Sequence, residues 1–170
     1  KTNEYIRAPS KWSQTQENIQ RYLTFTSSTN TNFYFSFHQT ISMYNIFDFW
    51  KLHEWIESLR KDDKYNRLDQ EQAWHVYDLH TPPELDPHLL PIPYRAVILK
   101  NFNNYRSNIK TDLASIGVES IVTLLERHAQ PKNVDDLLKL CKERTRIFDK
   151  VRGHDIKDYI PEVATVLNSG

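Results

Sequence analysis

The segment NVDDLLKLCKERTRIFDKVRG, residues 133–153, decides the fold class. Its apolar side chains recur at helical spacing, with Val134, Leu137, Leu138, Cys141, Phe148 and Val151 assigned to the buried side. Asn133 stands where an N-cap belongs, because a short polar side chain can accept from first-turn N–H groups that lack an intrahelical acceptor. Gly153 stands just past the last apolar residue, where a left-handed C-cap needs a residue without Cβ. Gly117 also follows an apolar segment of helical period. The only other glycine is the terminal Gly170, so 170 residues contain three, against about 7% in an average globular chain. Glycine here punctuates helices. None remains for a phosphate-cradling loop, a nucleophile elbow or a series of tight hairpins.

Working outward, Val118, Ile121, Val122 and Leu125 predict a helix that stops before Pro131. Ile98, Phe102, Tyr105 and Ile109 step by 4, 3 and 4, giving a helix over about 94–115, although Ala96–Leu99 also suits a strand. Pro161 suits the first turn of a last helix ending near Leu167. Upstream, five of the eight prolines fall at 82–93. They forbid regular helix and central strand, and predict an extended connector.

Before that connector, Phe49, Leu52, Ile56 and Leu59 are spaced 3, 4 and 3, predicting a central helix over about 40–60. Phe33, Phe35 and Phe37 alternate at the strand period, which allows a short β element near 33–38. Ser13 with Gln16 forms a capping box for a helix to about Thr24, preceded by an irregular arm. Residues 27–32 form a polar loop. Asp69 caps a helix over about 70–79 that buries Trp74 with Tyr77 or Val76.

The fold class expected is therefore all-α or nearly so. Five to seven helices form two groups within a single domain, 1–170. The N-terminal half covers 13–80, the Pro-rich connector 81–93 and the C-terminal helical half 94–168. Trp50, Ile56, Leu59, Ile98, Phe102, Leu125, Leu138 and Phe148 are the expected core.

Composition narrows the function. Lys and Arg balance Asp and Glu at 22 each, which argues against a whole-protein field built for nucleic acid or membrane. The single Cys141 excludes an internal disulfide and a multi-cysteine zinc site. It fits a reducing, intracellular compartment such as the cytoplasm. No apolar run approaches the roughly 18 residues of a membrane span, and no signal peptide is visible at the start. A start at Lys1 fits a fragment or processed product. The common nucleotide-loop, HExxH and GxSxG patterns are absent from the sequence.

Three constellations remain. His75, Asp78, His80 and His88, with Glu84 and Asp86 between them, combine imidazole and carboxylate in the manner of zinc, iron or manganese sites. On a helix His75 and Asp78 share a face, while His80 lies about 140° from His75, so a joint site requires the helix to end between them. The plainer reading is a helix end running into a solvated loop. Lys142, Arg144, Arg146, Lys150 and Arg152 crowd one helix and could neutralise phosphates, or merely complement its C-terminal dipole. Phe47, Trp50 and Trp55 belong to an aromatic block whose surplus over one buried face could line a partner groove. His53, on the same apolar face as Phe49 and Ile56, is read as a satisfied core histidine.

The leading expectation is a non-catalytic helical interaction module, part of a larger protein, that binds a protein partner or a second copy through the aromatic groove. It needs no cofactor. The alternatives are a metal-dependent helical enzyme using the His75–His88 cluster with a divalent metal, and a nucleic-acid-binding domain using the basic helix 139–152.

Overall fold

The computed structural model describes residues 1–28, 35–62, 65, 74–109 and 117–169. Among these, eight α-helices surround one two-stranded parallel sheet, so the chain is mostly α with a short β element. In chain order the elements are α1 (Thr2–Ile6), α2 (Trp12–Ser28), β1 (Phe37–Ile41), α3 (Lys51–Arg60), β2 (Trp74–Asp78), α4 (Ile92–Ser107), α5 (Val118–Glu126), α6 (Val134–Arg152), α7 (Ile156–Tyr159) and α8 (Pro161–Asn168). Single 3-10 turns occupy Ile46–Asp48, Pro83–Leu85 and Pro87–Leu89.

Two expected helices are corrected. The helix expected over 40–60 begins only at Lys51. Asn45 competes for the backbone upstream: its Oδ1 accepts from Ser42 N at 2.7 Å, and its Nδ2 donates to the Thr40 carbonyl at 2.9 Å. Such side-chain bonds favour a turn over a helix. The helix expected over 70–79 is a strand from Trp74 to Asp78. Residues 70–73 and the proposed cap Asp69 lie outside the described residues. Trp, Val and Tyr fit a pleated surface, and residue 74 pairs with Phe37 through to Asp78 with Ile41. The β element near 33–38 accordingly runs later, over Phe37–Ile41; Phe33 lies outside the described residues.

Helix ends also differ in detail. The arm before Ser13 contains α1, and Glu4 of α1 accepts from the Trp12 amide at 3.3 Å. Glu4 thus serves the start of α2, and Ser13 lies inside the helix. Ser27 and Ser28 belong to α2, while 29–32 of the expected loop, and 110–115 of the helix expected to end near 115, lie outside the described residues. Asn133 occupies the N-cap of α6 but makes no side-chain cap bond, whereas Gly153 takes the left-handed C-cap at φ 64°. Val151 is 78% exposed. Each residue turns 100° around a helix, and Val151 falls on the solvent side of the buried line of Cys141 and Thr145.

A two-stranded sheet is marginal alone; here β2 is covered by α5 and the core. Trp74 and Val76 point inward, with the Trp74 ring 6.2 Å from that of Phe49. Phe49 and Trp50 in turn meet Phe102 of α4 at 4.9 and 6.0 Å between centroids. Ile56, Leu59, Ile98, Phe102 and Leu125 are buried, while Trp50, Leu138 and Phe148 are partly buried against the core. That core draws side chains from both sides of the proline segment, which brings the segment against α4 and α6. Among the described residues no helix is long and apolar enough to cross a membrane.

Candidate metal centre

The centre forms where β2 runs into the proline segment. Alternation along the strand puts Trp74, Val76 and Asp78 on one face and His75 and Tyr77 on the other. Leu79 N extends the ladder by donating to the Ile41 carbonyl at 2.8 Å. Pro83 and Pro87 then open the two 3-10 turns, since the fixed φ of proline suits a first helical position. The segment is anchored at several points. The Leu85 carbonyl accepts from Met43 N at 2.9 Å, and Glu84 pairs with Arg144 of α6.

Asp86 organises the cluster. Its Oδ1 accepts from the His88 amide at 2.8 Å and from His88 Nδ1 at 2.7 Å, while its Oδ2 accepts from His80 Nδ1 at 3.1 Å. On the far side of His80, Nε2 lies 3.2 Å from Asp78 Oδ2. The His80 and His88 rings lie 5.8 Å apart. One ligand atom from each of Asp78, His80 and His88 falls within 4.8 Å of the others. The hydrogen bond to Asp86 raises the pKa of His80 despite partial desolvation, and Asp78 adds to the rise. Burial alone would raise the Asp86 pKa, but the His88 amide and the two imidazoles outweigh it and hold the carboxyl low. His80 is 62% exposed, so the cluster opens to solvent through that ring.

Three of the four residues expected to bind metal, Asp78, His80 and His88, are therefore together. His75 is not with them. It faces away on the other side of the sheet, its ring stacked on His38 at 4.6 Å, with Tyr77 stacked on His38 at 5.8 Å. A shared helical face for His75 and Asp78 is ruled out by the strand, in which residues three apart point oppositely.

The basic helix divides. Arg144 is held by Glu84, and Arg152 donates to the Tyr5 carbonyl while lying 4.3 Å over the Phe148 ring. Lys142, Arg146 and Lys150 face solvent. In the aromatic block, Phe47 packs on Tyr94, Trp50 on Phe102, and Trp55 between Trp12 and Phe37. The large apolar side chains exposed on α6 are instead Leu140, Ile147 and Val151. His53 is buried, its Nδ1 sharing a hydrogen bond with the Tyr105 hydroxyl at 2.6 Å.

Two residues that matter to the cluster were not singled out from sequence as site residues. Asp86 stands amid the histidines, and its place before Pro87 is the signal for a turn cap. Arg95 lies on the apolar line of Ile98 and Phe102, an unusual position for a charge. No protein family, curated protein or solved structure matches the chain.

Proposed function

We propose that this chain binds a divalent transition metal, zinc in first place, through Asp78, His80 and His88, and that it belongs with metal-dependent enzymes. The convergence of those three ligand atoms within 4.8 Å carries the reading. Two imidazoles and a carboxylate suit zinc or iron better than calcium or magnesium. Both Asp86 oxygens are engaged by Nδ1 atoms, which leaves the Nε2 atoms for the ion. A carboxylate behind each ligating histidine is the usual means of fixing its tautomer and ring orientation.

Three protein ligands leave a coordination position for water, as catalytic sites do and closed structural sites do not. The chemistry that such an ion supplies when bound is activation of that water, which points to hydrolysis as the reaction class. The chain's own contribution is the fixed loop, the orienting Asp86 and the solvent opening beside His80. The interaction-module expectation has less support, because Phe47, Trp50 and Trp55 are engaged with the core.

The test is metal analysis and zinc titration of protein carrying no histidine tag. One equivalent of zinc is expected, lost in His80→Ala and in His88→Ala but retained in His75→Ala. A folded wild type that takes up no zinc would sink the reading. The four side chains would then be an ion-pair network stapling the proline segment to β2.

A further inference from the structure

We propose that Arg95 is the positioning residue of this centre: its buried guanidinium fixes the His88–Leu90 turn against the end of α5 and thereby sets where His88 stands relative to Asp78 and His80. This rests on the metal reading above.

Arg95 is fully buried, at 0% exposure. A buried charge is costly unless its donors are met. Each of its three nitrogens donates to backbone carbonyls. Nη2 donates to His88 O at 2.7 Å and Nε to Leu90 O at 2.7 Å. Nη1 donates to Arg127 O at 2.7 Å, Ala129 O at 3.3 Å and Leu124 O at 3.4 Å. The last group lies at and just beyond the C-terminal end of α5, where carbonyls lack intrahelical partners and carry the negative end of the dipole. A cation there would cap the helix with one nitrogen. Arg95 uses its other two on the turn that bears a ligand. Burial lowers its pKa and the Asp86 carboxylate acts against that, so the charge also faces the residue that orients both histidines.

Gln130 completes the arrangement. Its Nε2 donates to Leu89 O at 3.4 Å and Leu90 O at 3.2 Å. The carbonyls of His88, Leu89 and Leu90 are thus all held from outside the turn, and the Leu89 and Leu90 side chains are fully buried. With the carbonyls of the turn fixed on this side, Asp86 orients the two imidazole rings from the other. The planar fork of arginine is what lets one side chain reach the turn and the helix end together, and the ammonium of lysine cannot span them.

The experiment is a cobalt(II) titration of the full chain followed by visible absorption, with helix content checked by circular dichroism. Wild type is expected to give a ligand-field band saturating at one equivalent. Arg95→Lys is expected to keep its helix content but bind about 10–100-fold more weakly, the usual cost of losing an outer-shell partner, with an altered band. Gln130→Ala removes only the outer pair of bonds to the turn and should show a smaller change of the same kind. Gly153→Ala, destabilised at a site remote from the turn, should leave the band as in wild type. A folded Arg95→Lys with wild-type band and affinity overturns the positioning role while leaving the metal centre intact. If Arg95→Lys does not fold, Gln130→Ala decides: an altered band supports the role and an unchanged one overturns it. A wild type that gives no band and binds no cobalt overturns both.

Discussion

Asp86 grips His88 twice, its Oδ1 lying 2.8 Å from the His88 amide nitrogen and 2.7 Å from the ring Nδ1. The first bond caps the Pro87–Leu89 turn and the second sets the ring. Oδ2 meanwhile serves His80. Asparagine can keep the cap through its carbonyl oxygen, but it presents an NH2 group where the second acceptor stood. Asp86→Asn is therefore expected to leave the turn formed and to weaken zinc binding about 10–100-fold. Isothermal titration with zinc measures this, and wild-type affinity in the variant would remove Asp86 from the centre.

Gly117 and Gly153 both have positive φ, at 75° and 64°, yet their surroundings differ. A Cβ on Gly117 would come within 1.9 Å of the Val76 carbonyl oxygen, whereas one on Gly153 meets nothing within 4 Å. Gly153→Ala should cost about 1–2 kcal/mol, from the left-handed conformation alone. Gly117→Ala adds a backbone clash that must part α5 from β2, and its total should exceed about 3 kcal/mol. Urea unfolding of both variants gives the comparison. Equal losses would mean that α5 does not press on β2 as described.

These two glycines also show what the sequence makes legible. Each follows an apolar period and has positive φ, but only Gly153 is the left-handed C-cap expected of both: α4 ends at Ser107 with Asn108 as its C-cap, and Gly117 stands at the N-cap of α5. The two expected helices that are not formed as expected have different causes, one local and one remote in sequence. Asn45 diverts its own backbone before Lys51, and nothing in residues 40–60 outweighs the apolar spacing that hides this. At 74–78 the alternation of Trp74 and Val76 was present, but the strand depends on pairing with a segment more than 30 residues earlier, and such pairing leaves no local mark. The histidine–carboxylate cluster was legible as composition, since histidines and carboxylates crowd residues 75–88. Its membership was not, because exchanging a helix for a strand turns His75 away from Asp78. Arg95 was the least visible part, its contacts being carbonyls from two other stretches of chain, 88–90 and 124–129.

His53 makes stability fall toward acid. Burial pulls its pKa down to about 4, although the Glu57 carboxylate acts in the opposite sense and Arg60 adds to the fall. In the unfolded chain the value is about 6.5. Between those limits the unfolded state binds a proton that the folded state refuses, so stability drops as pH falls from about 6.5 to about 4. The full contribution is at most about 3–4 kcal/mol, taking about 1.4 kcal/mol per unit. His53→Gln keeps a polar partner for Tyr105 but cannot titrate. Denaturant unfolding at pH 7 and pH 4.5 should show a smaller acid-side loss in the variant than in wild type. Parallel losses would mean that His53 is already free to charge in the folded chain.

Arg144 and Arg146 are two residues apart on α6 and have different work. Arg144 reaches Glu84, whose side chain is only 13% exposed, and so ties the first turn of the proline segment to α6. Arg146 faces solvent, in line with Lys142 and Lys150. Arg144→Ala is expected to lower stability by about 0.5–1 kcal/mol, the upper range for a partly exposed ion pair, and Arg146→Ala to stay within about 0.5 kcal/mol of wild type. The contrast bears on the basic helix as a nucleic-acid surface. A loss of oligonucleotide binding in Arg144→Ala could come from the displaced proline segment, so Arg146→Ala is the informative substitution. Fluorescence anisotropy with a labelled single strand, at low and moderate salt, should show Arg146→Ala binding more weakly and with a shallower salt slope if α6 contacts phosphates. Salt-insensitive or absent binding by wild type leaves Lys142, Arg146 and Lys150 as the solvated side of the helix.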